Sequence, residues 1–233
     1  MQKHINMELN PDILKILKEK TSTKQEVFEK VTQHFETFKS RIRLAAENYH
    51  TEIQKYDERV DIQFNSKGTY DAKLKFGGDT ILFHMHTNVF GFEEKHPIFK
   101  IGYVEQDPLR AYCGMINVYN FLTDSFRFNR VNDAGYLIAR IFINKDNHFF
   151  VDGKRQLGFL FNDFANSKID ETNIDKIIEA CLLYSLDFDL LTPDYRAMQR
   201  VTISQITELT KNMKLTTDKR LGYKYSWEES ELK

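Results

Sequence analysis

Residues 81 to 92 read ILFHMHTNVFGF, with His84 and His86 one residue apart. In an extended chain both rings project to the same side, so the pair could hold a zinc ion if one or two further ligands arrived from elsewhere. Glu93, Glu94, His96 and His148 are available, but none completes a known zinc ligand spacing. The reading ranked ahead of metal is a pair of hydrogen-bonded histidines on the wetter side of a strand. No cofactor is required by the sequence, and zinc is the one candidate.

A second arrangement joins His84 and His86 to Arg140, Tyr119 and Asn117, provided that their strands pair with polar sides together. Arginine would supply a fixed fork of donors, the histidines switchable ones and the aromatics an apolar wall, which suits a small polar or anionic ligand. The plainer reading, placed above it, is a polar network that fixes the sheet against its helices.

Other residues carry less. Asp187, Asp189 and Asp194 in LDFDLLTPDY could bind magnesium or act as acid and base, but their positions between and at the start of helices favour capping and solvation. In the tail, Lys219, Arg220 and Lys224 are mixed with Tyr223, Tyr225 and Trp227, the mixture a single-strand nucleic-acid binder uses. Acidic EESE follows directly, and a solvated or partner-docking tail is preferred. No G-x-S-x-G, S-x-x-K with its companion motifs, C-x-x-C, H-E-x-x-H, Walker loop or G-x-G-x-x-G occurs, which lowers the expectation of an enzyme and leaves catalysis open. Cys113 and Cys181 lie among apolar neighbours, as buried reduced thiols do.

The 233 residues carry 33 basic and 34 acidic side chains, a net charge of -1, so bulk electrostatics point neither to nucleic acid nor to an anionic membrane. No stretch approaches the roughly 18 apolar residues of a membrane span and the start lacks a signal-like run, from which a cytoplasmic protein is expected.

The elements that must position these residues follow from hydrophobic period. NPDILKILKEK predicts a short helix capped by Asn10 with Pro11 at its first position. From a capping box, Thr23 to Glu26, a long helix runs to about Tyr56 on a heptad seam of Phe28, Phe35, Ile42, Tyr49 and Tyr56, joined by Val31, Phe38 and Ala45. Packing along the protein's own sheet is favoured, with a helix-mediated dimer close behind.

Alternation then predicts strands near 60–65, 69–76, 79–90, 98–105, 112–121, 135–144, 147–151 and 156–162, separated by NSKG, FGGD, NDAG, NKDN and VDGK. Residues 112–128 also fit a helix, and strand is the reading kept. Two helices follow, the first capped by Thr172 and the second by Thr192 with Pro193.

The expectation is therefore an α+β fold: an antiparallel meander of seven or eight strands flanked by a long N-terminal helix and two C-terminal helices. Its single domain comprises helical residues 1–57, a sheet over 58–165, helices over 170–214 and a flexible tail over 215–233. Self-association to a homodimer or larger is expected. The leading function is a non-catalytic ligand-binding or protein-interaction domain. The alternatives are a metal-assisted or acid/base enzyme using His84 and His86, and single-strand nucleic-acid binding through the tail.

Overall fold

The structure, a computed structural model, describes residues 9–189, 195–204 and 207. Asn10 caps the first helix, its side chain accepting from the N–H groups of Asp12 at 2.9 Å and Ile13 at 3.3 Å. Helix α1, Pro11–Ile16, passes through a π turn, Leu17–Thr21, into α2, Ser22–Gln54. The two expected helices are thus continuous, and the capping box at Thr23 does not form. A cap needs a non-helical backbone, whereas Thr21 at the head of α2 is itself helical (φ -72°, ψ -42°) and Thr23 is buried within the helix.

At 1.5 Å per residue, α2 is about 50 Å long. The middle of its heptad seam is buried, with Val31, Phe35, Phe38 and Ile42 against the sheet. At the ends Val27 and Ala46 are buried instead, while Tyr49 and Tyr56 stand in solvent. A straight helix turns about 20° per heptad away from a seven-residue repeat, so a seam read with that period rotates off a flat partner.

The sheet has six strands in meander order: β1 Ile62–Asn65, β2 Asp71–Phe76, β3 Asp79–Met85, β4 Cys113–Leu122, β5 Tyr136–Asn144 and β6 Phe149–Gly153. All neighbours are antiparallel. One face carries Leu74, Ile81, Phe83, Ile116, Val118, Ile141 and Val151 into the main core beneath α2. Helix α6, Glu171–Leu186, lies on the same core through Ile174, Ile177, Ile178 and Cys181, and Arg41 of α2 binds it by donating from Nε to Asp175 Oδ1 at 2.7 Å. The helix can approach β4 closely because residue 114 is glycine. A Cβ there would lie 2.5 Å from Val31 Cγ2.

Six strands replace the expected seven or eight. Residues 98–105 form a 3₁₀ turn, Pro97–Lys100, and a helical turn α3, Gly102–Glu105. Their apolar residues Ile98, Ile101 and Val104 recur every three positions and face one cluster, a helical spacing. Strand β3 stops at Met85 because His86 Nδ1 accepts from the Asn88 N–H at 3.0 Å and turns the chain. Strand β4 ends at Leu122 in helical turn α4, Thr123–Arg127, so residues 112–128 divide between the two readings.

Residues 156–162 hold helical turn α5, Gln156–Leu160. Gly158 there sits so close to Gly153 that a Cβ would lie 2.6 Å from the Gly153 carbonyl oxygen. Helix α6 is capped by Asp170, which accepts from Asn173 N–H at 2.7 Å, rather than by Thr172. The second expected C-terminal helix is not matched: the described residues there show the short α7, Tyr195–Met198, and Thr192, Pro193 and most of 199–214 lie outside them. Cys113 and Cys181 are free and buried, and burial pushes both thiols up.

The second sheet face is half covered. Phe92, Ile98, Ile101, Val104 and Ala111, with Phe164, pack on Cys113, Met115, Phe142 and Phe150. A polar network pins this cover to the β5–β6 turn. Tyr103 Oη donates to Asp146 Oδ2 at 2.8 Å, Arg110 Nε to the same oxygen at 2.9 Å, and Asn144 Nδ2 to Tyr103 Oη at 3.0 Å. The Tyr103 ring stacks on His148 at 4.6 Å.

Candidate functional site

Strand alternation and the meander's short turns together fix which polar residues meet on the half-open face. Across the sheet, Asp71 pairs with His84, His84 with Asn117, Asn117 with Arg140 and Arg140 with Asp152. These five form one polar rung. On one side of it lies the covered rung of Met115, Phe142 and Phe150. On the other, Lys73, Leu82, Tyr119 and Leu137 form a rung that stays partly open. The polar rung therefore lies where the cover ends.

Within it Asn117 is 7% exposed, yet among the described residues its amide has no hydrogen-bond partner. His84 is exposed and likewise makes no side-chain hydrogen bond to the described residues. Arg140 is committed on one side, donating from Nε to Asp152 Oδ2 at 3.0 Å and from Nη2 to the same oxygen. Its Nη1 hydrogens are left for another acceptor. That ion pair is half in solvent, with side-chain exposures of 44% and 53%, so it contributes little to stability.

His86 belongs to the neighbouring rung, its N–H donating to Met115 O at 2.8 Å. Its ring meets Phe90 edge-on at 4.7 Å while Nδ1 accepts from Asn88, so it closes a turn at the rim. Tyr119 is two residues along β4 from Asn117 and offers the apolar wall with Leu82 and Leu137. The rung thus brings His84, Asn117 and Arg140 together, with Tyr119 beside them and His86 adjacent but engaged.

A bulge changes one face assignment. Register shifts between Val118 and Tyr119, so Tyr119 pairs with Leu137 and Ile138 is the extra residue. Simple alternation puts Leu137 in the core and Ile138 beside Arg140. The observed burial is the reverse, with Leu137 39% exposed and Ile138 1% exposed. Asp152, the acceptor that holds Arg140, was not among the expected site residues, because VDGK reads as a turn rather than the end of a strand.

Among the described residues no group of three or more His, Cys, Asp or Glu side chains could hold a metal ion, so His84 and His86 gain no third ligand of these types. Asp187 is ion-paired with Arg155, Asp189 is exposed three residues past the end of α6, and Asp194 lies outside the described residues. Lys219, Arg220, Tyr223, Lys224, Tyr225 and Trp227 of the tail also lie outside them. No helix among the described residues is long and apolar enough to cross a membrane. No protein-family model, curated protein or solved structure matches the chain.

Proposed function

We propose that the protein is a non-catalytic binding protein whose half-open sheet face takes a small polar or anionic ligand on the His84–Asn117–Arg140 rung. The observation that carries this reading is the Asn117 amide. It is 7% exposed and unpartnered among the described residues, and it stands between a histidine and an arginine. The amide keeps contact with solvent, so a bound polar group can take the place of water there. Asn117 offers both donor and acceptor, His84 a ring nitrogen and Arg140 its Nη1 hydrogens, while Tyr119 and Leu137 suit an apolar body.

Melting curves of the purified chain with phosphate, acetate and citrate, at ionic strength matched with chloride, test the proposal. Binding raises the melting temperature with ligand concentration, by the equivalent of about 2.7 kcal/mol at a hundredfold excess over Kd. Asn117→Ala and Arg140→Ala abolish that rise. No rise with any of the three anions contradicts the reading.

Self-association remains part of the proposal. Its support is the row of large apolar side chains, Leu9, Ile13, Ile16 and Leu17, that α1 and its surroundings hold in solvent. Light scattering that reports a monomer throughout the micromolar range removes it.

A further inference from the structure

Residues 91–112, which cover part of the second sheet face, form a loop closed at its neck. Phe90 N–H donates to Cys113 O at 2.8 Å and Cys113 N–H to Phe90 O at 2.9 Å, so the chain leaves the sheet and returns to it at one point. Beyond that neck, among the described residues, main-chain hydrogen bonds stay inside the segment, as in Val104 N–H to Ile101 O at 2.8 Å and Arg110 N–H to Asp107 O at 3.0 Å. Hairpin connections usually take about 2–5 residues, so the meander itself does not need this segment.

Side chains alone fasten it to the rest of the protein. One fastening is apolar, with Phe92, Ile98 and Val104 in a cluster with Phe142 and Phe150 that shares no residue with the main core beneath α2. The other is a polar latch at the β5–β6 turn. There Asp146 Oδ2 accepts from Tyr103 Oη at 2.8 Å and from Arg110 Nε at 2.9 Å, Lys145 Nζ reaches Asp107 Oδ2 at 2.9 Å, and Asn144 Nδ2 donates to Arg110 O at 3.2 Å. Next to the neck, Lys20 and Lys24 lie over the Tyr112 ring at 5.7 Å and 5.1 Å.

We propose that residues 91–112 are a lid that opens as one unit about the Phe90–Cys113 neck while the sheet, α2 and α6 keep their packing. Opening breaks the latch and the smaller cluster and leaves every strand pair in place, which is the condition for a sub-global opening. It uncovers Met115, Phe142 and Phe150, the rung next to Asn117 and Arg140. The exposed face is thereby lengthened by one apolar rung, and the latch controls access to it. The lid and the ligand proposed for the polar rung stand independently of each other.

Native-state hydrogen exchange of the full chain, followed by NMR in urea below the unfolding transition, tests the lid. The amides of Phe99, Val104, Gln106 and Arg110 exchange through one shared opening, with a common urea slope that is above zero and smaller than the slope of Ile81, Val118 and Ile141 in the strands. Tyr103→Phe removes one hydroxyl from the latch and speeds the lid amides about tenfold, the loss of a hydrogen bond to a charged group. Ile81→Val, in the main core, speeds the strand amides several-fold and leaves the lid amides as they were, because that core is intact when the lid is open. Lid amides that exchange only together with the strands, or singly and without urea dependence, overturn the proposal. So does an Ile81→Val effect of equal size on lid and strands, or a Tyr103→Phe variant whose lid amides keep the parent rates.

Discussion

Asn117 and Arg140 are directly paired across β4 and β5, and the guanidinium turns away from the amide toward Asp152 on the next strand. An amide left 7% exposed without a partner thus lies beside an arginine already half engaged. Any anion bound at this rung must share Arg140 with Asp152.

That competition has a measurable consequence. Asp152→Asn removes the competing charge and gives the Arg140 donors a weaker acceptor at position 152, so phosphate or acetate should bind several-fold more tightly than to the parent chain. The pair is half exposed, so the variant's stability should change by less than about 1 kcal/mol. Calorimetric titration beside a urea melt reads both, and weaker anion binding in the variant contradicts the assignment of Arg140.

Close packing between α2 and β4 should show at Gly114. A Cβ there would meet Val31 Cγ2 at 2.5 Å and Val31 Cβ at 3.0 Å, and both elements are fixed by the core. Gly114→Ala is expected to cost about 1–3 kcal/mol. Adding Val31→Ala should recover part of that loss instead of adding to it, which denaturant melts of the double-mutant cycle measure.

Acid should loosen the cover over the second sheet face. Burial alone raises the Asp146 carboxyl, but the hydrogen bond from Tyr103 and the cations Lys145 and Arg110 outweigh it and hold the pKa below the usual carboxylate value. Asp107 is likewise held down against its burial by Lys145, the Leu109 N–H and Arg110. A carboxyl lowered in the folded state contributes stability that is fully present above its unfolded pKa, about 4, and is lost as pH falls through the folded value. Stability measured between about pH 6 and pH 2 should therefore fall less steeply in Asp146→Asn than in the parent.

The core contains an orphaned amide. Asn120 is fully buried, and neither its Oδ1 nor its Nδ2 has a hydrogen-bond partner. Replacing it by an apolar side chain of similar volume removes that desolvation cost, so Asn120→Leu should raise stability by about 1 kcal/mol. A lower melting temperature would contradict this.

The meander was legible because hairpin signals such as FGGD and NKDN separate segments of alternating polarity, and short connections leave antiparallel neighbours little freedom of register. Parity alone placed His84 opposite the face of Phe83, as found. What parity misses is a change of phase. The extra residue Ile138 exchanges the faces of Leu137 and Ile138, and no residue type in YLIARIFIN signals it. Segments 98–105 and 156–162 misled for another reason. They are short and apolar, and only their tertiary contacts, Ile98 and Val104 on Phe142 and Gly158 on Gly153, separate a helical turn from a strand. Asp152 and the Asn117 amide acquire meaning only once register makes them neighbours of Arg140.

The most direct test of the binding rung is to follow the Asn117 side-chain amide and the His84 ring by NMR while phosphate or acetate is titrated at constant ionic strength. Binding at the rung moves both sets of signals together along one saturating curve, and Arg140→Ala flattens it. Signals that stay still, or that drift without saturation while resonances elsewhere titrate, would contradict it.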